Sequence, residues 1–399
     1  MPNTRLKNIS RLLVYFLCIY LFSVSIGVNA VGIPTYVENS GFNTFSSTII
    51  LSAESIIAIF LCLITQQIIF RFGLVKTILV ACLMRAVATL LLGYFQDPIS
   101  WFALSLLVGG GSILYLLRIQ ICIHNIKEIK YKGIIYSIFG TLISLGIASG
   151  PLVYSEMNRL IDLFQLTDFV STYFKNEMGL CFVISALITV FTAIPFFFGK
   201  RLVPTIQPVA VQSLFSIVKK NKGILFAVSL CGISFFSVSW YITIYGIRNN
   251  MSLFDASLLL SAFMVGSVVL DIIISFLSEH TDRRSVLVYS SLICTILAIF
   301  LPLAIYNKYH AFGLLFLWGG LISGMYTNCL FLLEKKYSDK DSTATNAAFS
   351  MMENVGATFG LLLIGTSINF VGTDAFSYII IFSNLLYFSF VLFLYQSRL

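Results

Sequence analysis

Apolar residues in this chain come in long, nearly unbroken runs, not in the alternation of a strand or the narrow stripe of a surface helix. A helix needs ~20 mostly apolar residues to cross a hydrocarbon layer of about 30 Å. Twelve windows meet that length: 11–34, 46–70, 76–96, 99–123, 133–154, 178–198, 223–247, 254–278, 285–306, 310–333, 345–370 and 374–395. Short polar breaks separate them. The strands of a membrane barrel alternate over about ten residues, so runs this long exclude one. The pattern predicts an all-α polytopic membrane protein with twelve transmembrane helices.

Composition agrees with the pattern. Hydrophobic residues make up 58% of the chain, aromatic residues 15% and charged residues only 11%. A soluble core of 399 residues cannot hide that much apolar surface, whereas a bilayer can. The net charge of +8 raises the question of nucleic acid, and the placement of the charges answers it. With an even number of spans, nineteen Lys and Arg fall in loops on the side of the termini and four (Arg159, Lys175, Arg248, Lys308) on the other. The positive-inside bias places both termini in the cytoplasm of a multi-pass protein of the inner or plasma membrane. No nucleic-acid partner is expected. The first span has the outline of a leader, with Arg5, Lys7 and Arg11 ahead of an apolar run ending at Val28-Asn29-Ala30. Removing it would leave eleven spans and break the repeat described next, so it is read as a span.

The chain repeats itself. "LVGGGSILY" (107–115) in the fourth window aligns with "LWGGLISGMY" (317–326) in the tenth at an offset of 210. "GIASGP" (146–151) in the fifth aligns with "GATFGL" (356–361) in the eleventh at the same offset, and "FRFG" (70–73) with "DRRS" (282–285) at 212. A lone GxxxG is only a close-packing device between membrane helices. Three features at nearly one offset, in matching helices, define an internal repeat. It divides the chain into a six-helix bundle over 1–198, a cytoplasmic linker over 199–222 and a second six-helix bundle over 223–399. Six spans per half make the repeat parallel, related by a pseudo-twofold along the membrane normal, as in transporters that rock two bundles about a central site.

These features resemble the major facilitator superfamily, which carries a G-x-x-x-D-R-x-G-R-K/R loop after its second helix and a looser copy after its eighth. The second copy here reads Ser278-x-x-x-Asp282-Arg283-Arg284. The first keeps Arg71, Gly73 and Lys76 but has Gln66 and Phe70 at the leading Gly and the Asp. Gly146-x-x-x-Gly150-Pro151 resembles the fifth-helix motif that the family associates with antiporters, without its trailing glycines. Arg118 follows the fourth-window glycine cluster, near the cytoplasmic end. The second-half pattern is most similar to the YcaD-type branch. The resemblance implies two six-helix bundles and alternating access. It also implies a charged-loop latch at Arg71, Gly73, Asp282, Arg283 and Arg284, with Asp282 near Gly133. Read without the family, the loop is a solvated cytoplasmic turn, with Asp282 placed to satisfy the orphan N–H groups of the next helix.

Five ionisable residues fall inside the windows, where each costs roughly 2.5–3.5 kcal/mol and calls for a partner or a role. At ~1.5 Å per residue, Glu54 lies about 12 Å below the outer edge and Arg85 about 14 Å above the inner one, so the two heads are candidates to meet. Arg118, Asp271 and Glu353 lie about 7–12 Å from the inner edge, a candidate set of cytoplasmic gate charges. Glu54 is the candidate to bind and release a proton during a transport cycle. Asn29, Trp240, Tyr245, Tyr326 and Asn328 supply polar and aromatic surface for a small solute; such residues also serve as interface anchors and helix glue. Gly146, Gly150 and Pro151, with Gly356 and Gly360 in the second half, suit close helix crossings, with a bend at the proline.

The eight cysteines fall within or beside the windows without a CxxC pair, and His124, His280 and His310 stand alone, so neither disulfides nor a metal are expected. No P-loop is present and no cofactor is called for. A membrane-embedded enzyme would need a clustered acid, base or metal site, which isolated histidines do not supply. A sensor would carry a longer soluble segment. The sequence therefore predicts a transporter of a small-molecule substrate, with protons and the lipid bilayer as its other partners, working as a monomer. A proton-coupled exporter is the leading reading, and nutrient or metabolite uptake the alternative.

Overall fold

The computed structural model describes residues 2–124, 132–163, 179–198, 214–337 and 342–396. Twelve long helices occupy them: α1 (Pro2–Asn39), α2 (Thr44–Phe72), α3 (Leu74–Leu92), α4 (Pro98–His124), α5 (Lys132–Leu163), α6 (Gly179–Phe198), α8 (Lys222–Arg248), α9 (Leu253–His280), α10 (Arg283–Ala304), α11 (Lys308–Glu334), α12 (Ser342–Val371) and α13 (Ala375–Gln396). A short α7 (Leu214–Lys220) precedes α8. Each of the twelve windows falls on its own long helix, with 76–96 and 285–306 running past the helix ends at Leu92 and Ala304. Eleven stretches among the described residues are long and apolar enough to cross a membrane. The last runs over 53 residues, because α12 and α13 are broken only by a single 3-10 turn at Gly372–Asp374. Gly372 makes that break with φ +75°, a conformation that L side chains rarely adopt. The loop from 164 to 178 and the linker segment 199–213 lie outside the described residues.

Side-chain caps set several helix starts. Asp97, fully exposed, accepts from the Ser100 backbone N–H at 2.8 Å, and its hydrogen bonds there hold its carboxyl below the usual range. Ser252 caps α9 through the Asp255 N–H at 3.1 Å. Asn307 caps α11 through the Tyr309 N–H at 3.0 Å. Such caps satisfy donors that have no partner within their own helix.

By packing, the chain forms two units: Met1–Gly32 with Ile64–Val209, and Ile33–Leu63 with Ala210–Leu399. In the first, α1 crosses α5 at glycines. A Cβ on Gly150 would collide with the Gly27 backbone, and one on Gly146 would stand 2.6 Å from the Tyr20 carbonyl oxygen. Helix α5 continues through Pro151. Hydroxyls join α1 to α6: Ser25 Oγ lies 2.8 Å from Ser185 Oγ and 2.9 Å from Thr189 Oγ1.

The second unit repeats both devices. A Cβ on Gly356 of α12 would collide with the Ser229 carbonyl of α8, and one on Gly232 of α8 with the Glu353 carbonyl of α12. Ser234 of α8 meets Ser383 of α13 at 3.1 Å, and Asn384 donates to Ser234 at 3.1 Å. Helices α9 and α11 make a further backbone-close seam, with Gly266 against the Phe316 carbonyl and Gly319 against the Phe263 carbonyl.

Candidate functional site

Asn29 is buried in the first unit within a chain of hydrogen bonds. It accepts from Ser185 at 2.8 Å and donates to Thr89 at 3.4 Å. Arg85, also fully buried, lies one helical turn from Thr89. Its guanidinium donates to Ser112 Oγ and to the Val108 carbonyl at 3.4 Å, and lies 5.2 Å from the centre of the Phe22 ring. Gly111 leaves the room: a Cβ there would come within 2.7 Å of the Arg85 Cβ. The aromatic stack continues from Phe22 to Tyr115, with ring centres 3.9 Å apart. The cost of an arginine in hydrocarbon is thus offset by two acceptors and a π face. Arg118 is fully buried in α4, so its head does not snorkel to an exposed surface.

Glu54 is half-buried on the part of α2 that belongs to the second unit, whereas Arg85 belongs to the first. Beside Glu54, Ser55 accepts from Thr358 of α12 at 2.9 Å. About two turns earlier on α2, Thr48 sits against Gly365 of α12, where no Cβ would fit. Further along, Glu38 near the end of α1 accepts two hydrogen bonds from Arg248 at the end of α8, at 2.7 and 2.8 Å. This fork-to-carboxylate geometry is the strongest form an ion pair takes in a half-exposed setting. Glu38 and Arg248 are 210 positions apart, the offset of the repeat.

Glu353 is half-buried on α12, in the turn before Gly356. Tyr326 of α11 donates to it at 3.4 Å, and Phe349 stands edge-on to the Tyr326 ring with centres 4.8 Å apart. Asp271 of α9 accepts from Thr327 of α11 at 3.2 Å. Both carboxylates are therefore met by neutral hydroxyls. Asn328 donates to the Gly324 carbonyl of its own helix at 2.8 Å. Trp240 and Tyr245 are buried in α8, and Tyr245 accepts from Ser377 at 2.8 Å.

In the charged loop, Asp282 caps α10. Its carboxylate accepts from the Arg284 N–H at 3.4 Å, the Ser285 N–H at 3.2 Å and the Ser285 hydroxyl at 3.0 Å. Arg283 lies 4.5 Å from the centre of the Phe331 ring of α11. In the first copy, Arg71 lies 5.7 Å from the Phe72 ring centre, and Gly73, with φ +75°, turns the chain from α2 into α3. All eight cysteines are buried, and none is in a disulfide.

Hydroxyl contacts and glycine crossings repeated on matching helices, with twelve long helices, define a multi-pass helical membrane protein with an internal repeat. The family model of the Major Facilitator Superfamily matches residues 3–151, 166–361 and 224–398, and the chain belongs to that family, which comprises membrane transporters, not enzymes. Among characterised folds, nucleoside transporter NupG aligns with a TM-score of 0.72 at 14% identity over 97% of this chain and 98% of its own. The E. coli Fucose:proton symporter, FucP, aligns with a TM-score of 0.66 at 15% identity over 97% and 98%. A Bacillus subtilis protein named an uncharacterized MFS-type transporter, YfkF, is 24% identical over 200 residues, 49% of this chain. The match spans about half of that relative, 47% of its length.

Proposed function

We propose that this chain is a secondary transporter that moves a small solute by alternating access and exchanges it for protons. The observation that carries the proton reading is Glu353, a carboxylate inside a spanning helix whose hydrogen bond comes from the neutral Tyr326 hydroxyl. Such a group costs several kcal/mol when ionised without a cation, so proton uptake and release are the natural way to change its state. Glu54 is the second candidate carrier. Asn29, Arg85, Trp240, Tyr245, Tyr326 and Asn328 are proposed to line or support the solute path, and Arg118, Asp271 and Glu353 the gate near the cytoplasmic end. The Glu38–Arg248 clasp, joining the ends of α1 and α8, supports a second gate.

The direction proposed is export. It rests on the likeness of Gly146-x-x-x-Gly150-Pro151 to the antiporter motif, and on the backbone-close α1–α5 crossing those glycines make. The division into bundles 1–198 and 223–399, the cytoplasmic termini and the YcaD-type branch are proposed with it, from the repeat, the positive-inside bias and the second-half loop.

Reconstituted vesicles test this. With a pH gradient imposed, the wild type should accumulate its solute, and Glu353→Gln should lose the pH-driven component while keeping solute exchange. Glu54→Gln should do the same if it shares the proton. Accumulation that ignores the pH gradient in the wild type would contradict proton exchange.

A further inference from the structure

Asp271 sits in an unusual place. Helices α9 and α11 meet backbone to backbone at Gly266 and Gly319, and Gly320 and Gly324 press against Leu270 and Ile274, one residue before and three after Asp271. A Cβ on Gly320 would meet the Leu270 side chain, and one on Gly324 would stand 2.5 Å from the Ile274 Cγ2. The glycine side of the seam is thus tightly packed and apolar. The surrounding chemistry is nevertheless polar. Thr327 Oγ1 reaches one carboxylate oxygen at 3.2 Å, and the hydroxyls of Ser275 and Ser323 are also placed to hydrogen-bond to the carboxylate. The other oxygen, Oδ1, is buried without a hydrogen-bond partner. Among the described residues, Asp271 is in none of the ion pairs found at Glu156–Arg159, Glu38–Arg248 and Asp255–Lys308.

We infer that this seam is a binding site for a monovalent alkali cation, Na+ in the first instance, held by the carboxylate of Asp271 and the hydroxyls of Ser275, Ser323 and Thr327. All four ligands are hard oxygens, the donor type that suits hard cations. A bound cation neutralises a charge that otherwise stands alone in hydrocarbon, and it gives the orphaned Oδ1 a partner. Each hydroxyl can rotate to turn a lone pair to the ion and its proton elsewhere. The four residues are half-buried, which leaves a side for entry and for water to complete the shell. The site goes beyond the proton reading and does not depend on it, since Glu353 lies on a different helix with its own hydroxyl partner.

Thermal unfolding of the purified full chain tests the inference without requiring a known solute. NaCl and LiCl should raise the midpoint saturably, while choline chloride at equal ionic strength should not. Asp271→Asn should abolish the rise. Thr327→Val and Ser323→Ala should each raise the half-saturating NaCl concentration by roughly tenfold, the loss of one charge-bearing contact. Glu353→Gln should keep the wild-type Na+ response, which separates this site from the proton carrier. Equal midpoints in NaCl and choline chloride would overturn the inference. If Asp271→Asn does not fold, an unchanged half-saturation in both hydroxyl variants overturns it as well.

Discussion

A carboxylate at position 282 closes the start of α10, accepting from two backbone N–H groups and one hydroxyl. Removing such a cap costs about 1 kcal/mol, whereas Asn caps almost as well as Asp. Asp282→Ala should therefore lower the unfolding midpoint, and Asp282→Asn should leave it in place. If Asp282→Asn then alters the accessibility of cysteines introduced at each face, the charge itself serves the latch; with the midpoint and both accessibilities unchanged, capping is its whole role. At this scale the sequence was only partly legible. That Glu54, Arg85, Arg118, Asp271 and Glu353 lie inside spans follows from the hydropathy pattern alone. Which neighbour each one finds depends on helix rotation, and the sequence does not contain that until helices pack. Arg85 shows it: its depth was legible, but not that Ser112, Val108 and Phe22 would be among its neighbours, from α4 and α1.

Helices cross where glycines let backbones touch, and the same pairs cross in each half: α1 with α5, and α8 with α12. At Gly150 and Gly356 an added Cβ would collide with backbone, which cannot yield as a side-chain tip can. Gly150→Ala and Gly356→Ala should each destabilise the protein by roughly 1–3 kcal/mol, read as a lower unfolding midpoint. Gly140 and Gly313 are the controls. A Cβ on either meets nothing within 4 Å, so Ala there should be neutral or stabilising by up to about 1 kcal/mol. The offset of 210 made the α5 and α12 glycines visible in the sequence. The serine contacts of α1–α6 and α8–α13 escaped notice, although Ser25 and Ser234 are 209 positions apart. Single serines in a membrane helix carry no pattern of their own, and only the repeat offset would have singled them out.

For the whole molecule, alternating access requires that contacts at one end of the helices part while others form. The Glu38–Arg248 clasp is proposed to be one such contact. Its groups are half-exposed, so its net worth is modest, about 1 kcal/mol, enough to bias a population about fivefold without locking it. Glu38→Arg or Arg248→Glu alone should shift the chain toward the state open at that end, seen as faster labelling of a cysteine placed nearby. The double swap should restore the wild-type rate, and labelling unchanged in every variant would show that the clasp carries no bias. The twelve spans and the family were legible because bilayer thickness imposes one length on every crossing. The clasp was not, because its partners come from repeat-related helix ends that no local pattern joins.

The most direct test of proton-coupled exchange is the internal pH of sealed vesicles containing the purified protein, followed as a transported solute is added outside. Solute flux should move protons the opposite way, and Glu353→Gln should abolish the pH change while solute still exchanges. A solute flux through the wild type that leaves internal pH unchanged would contradict the account.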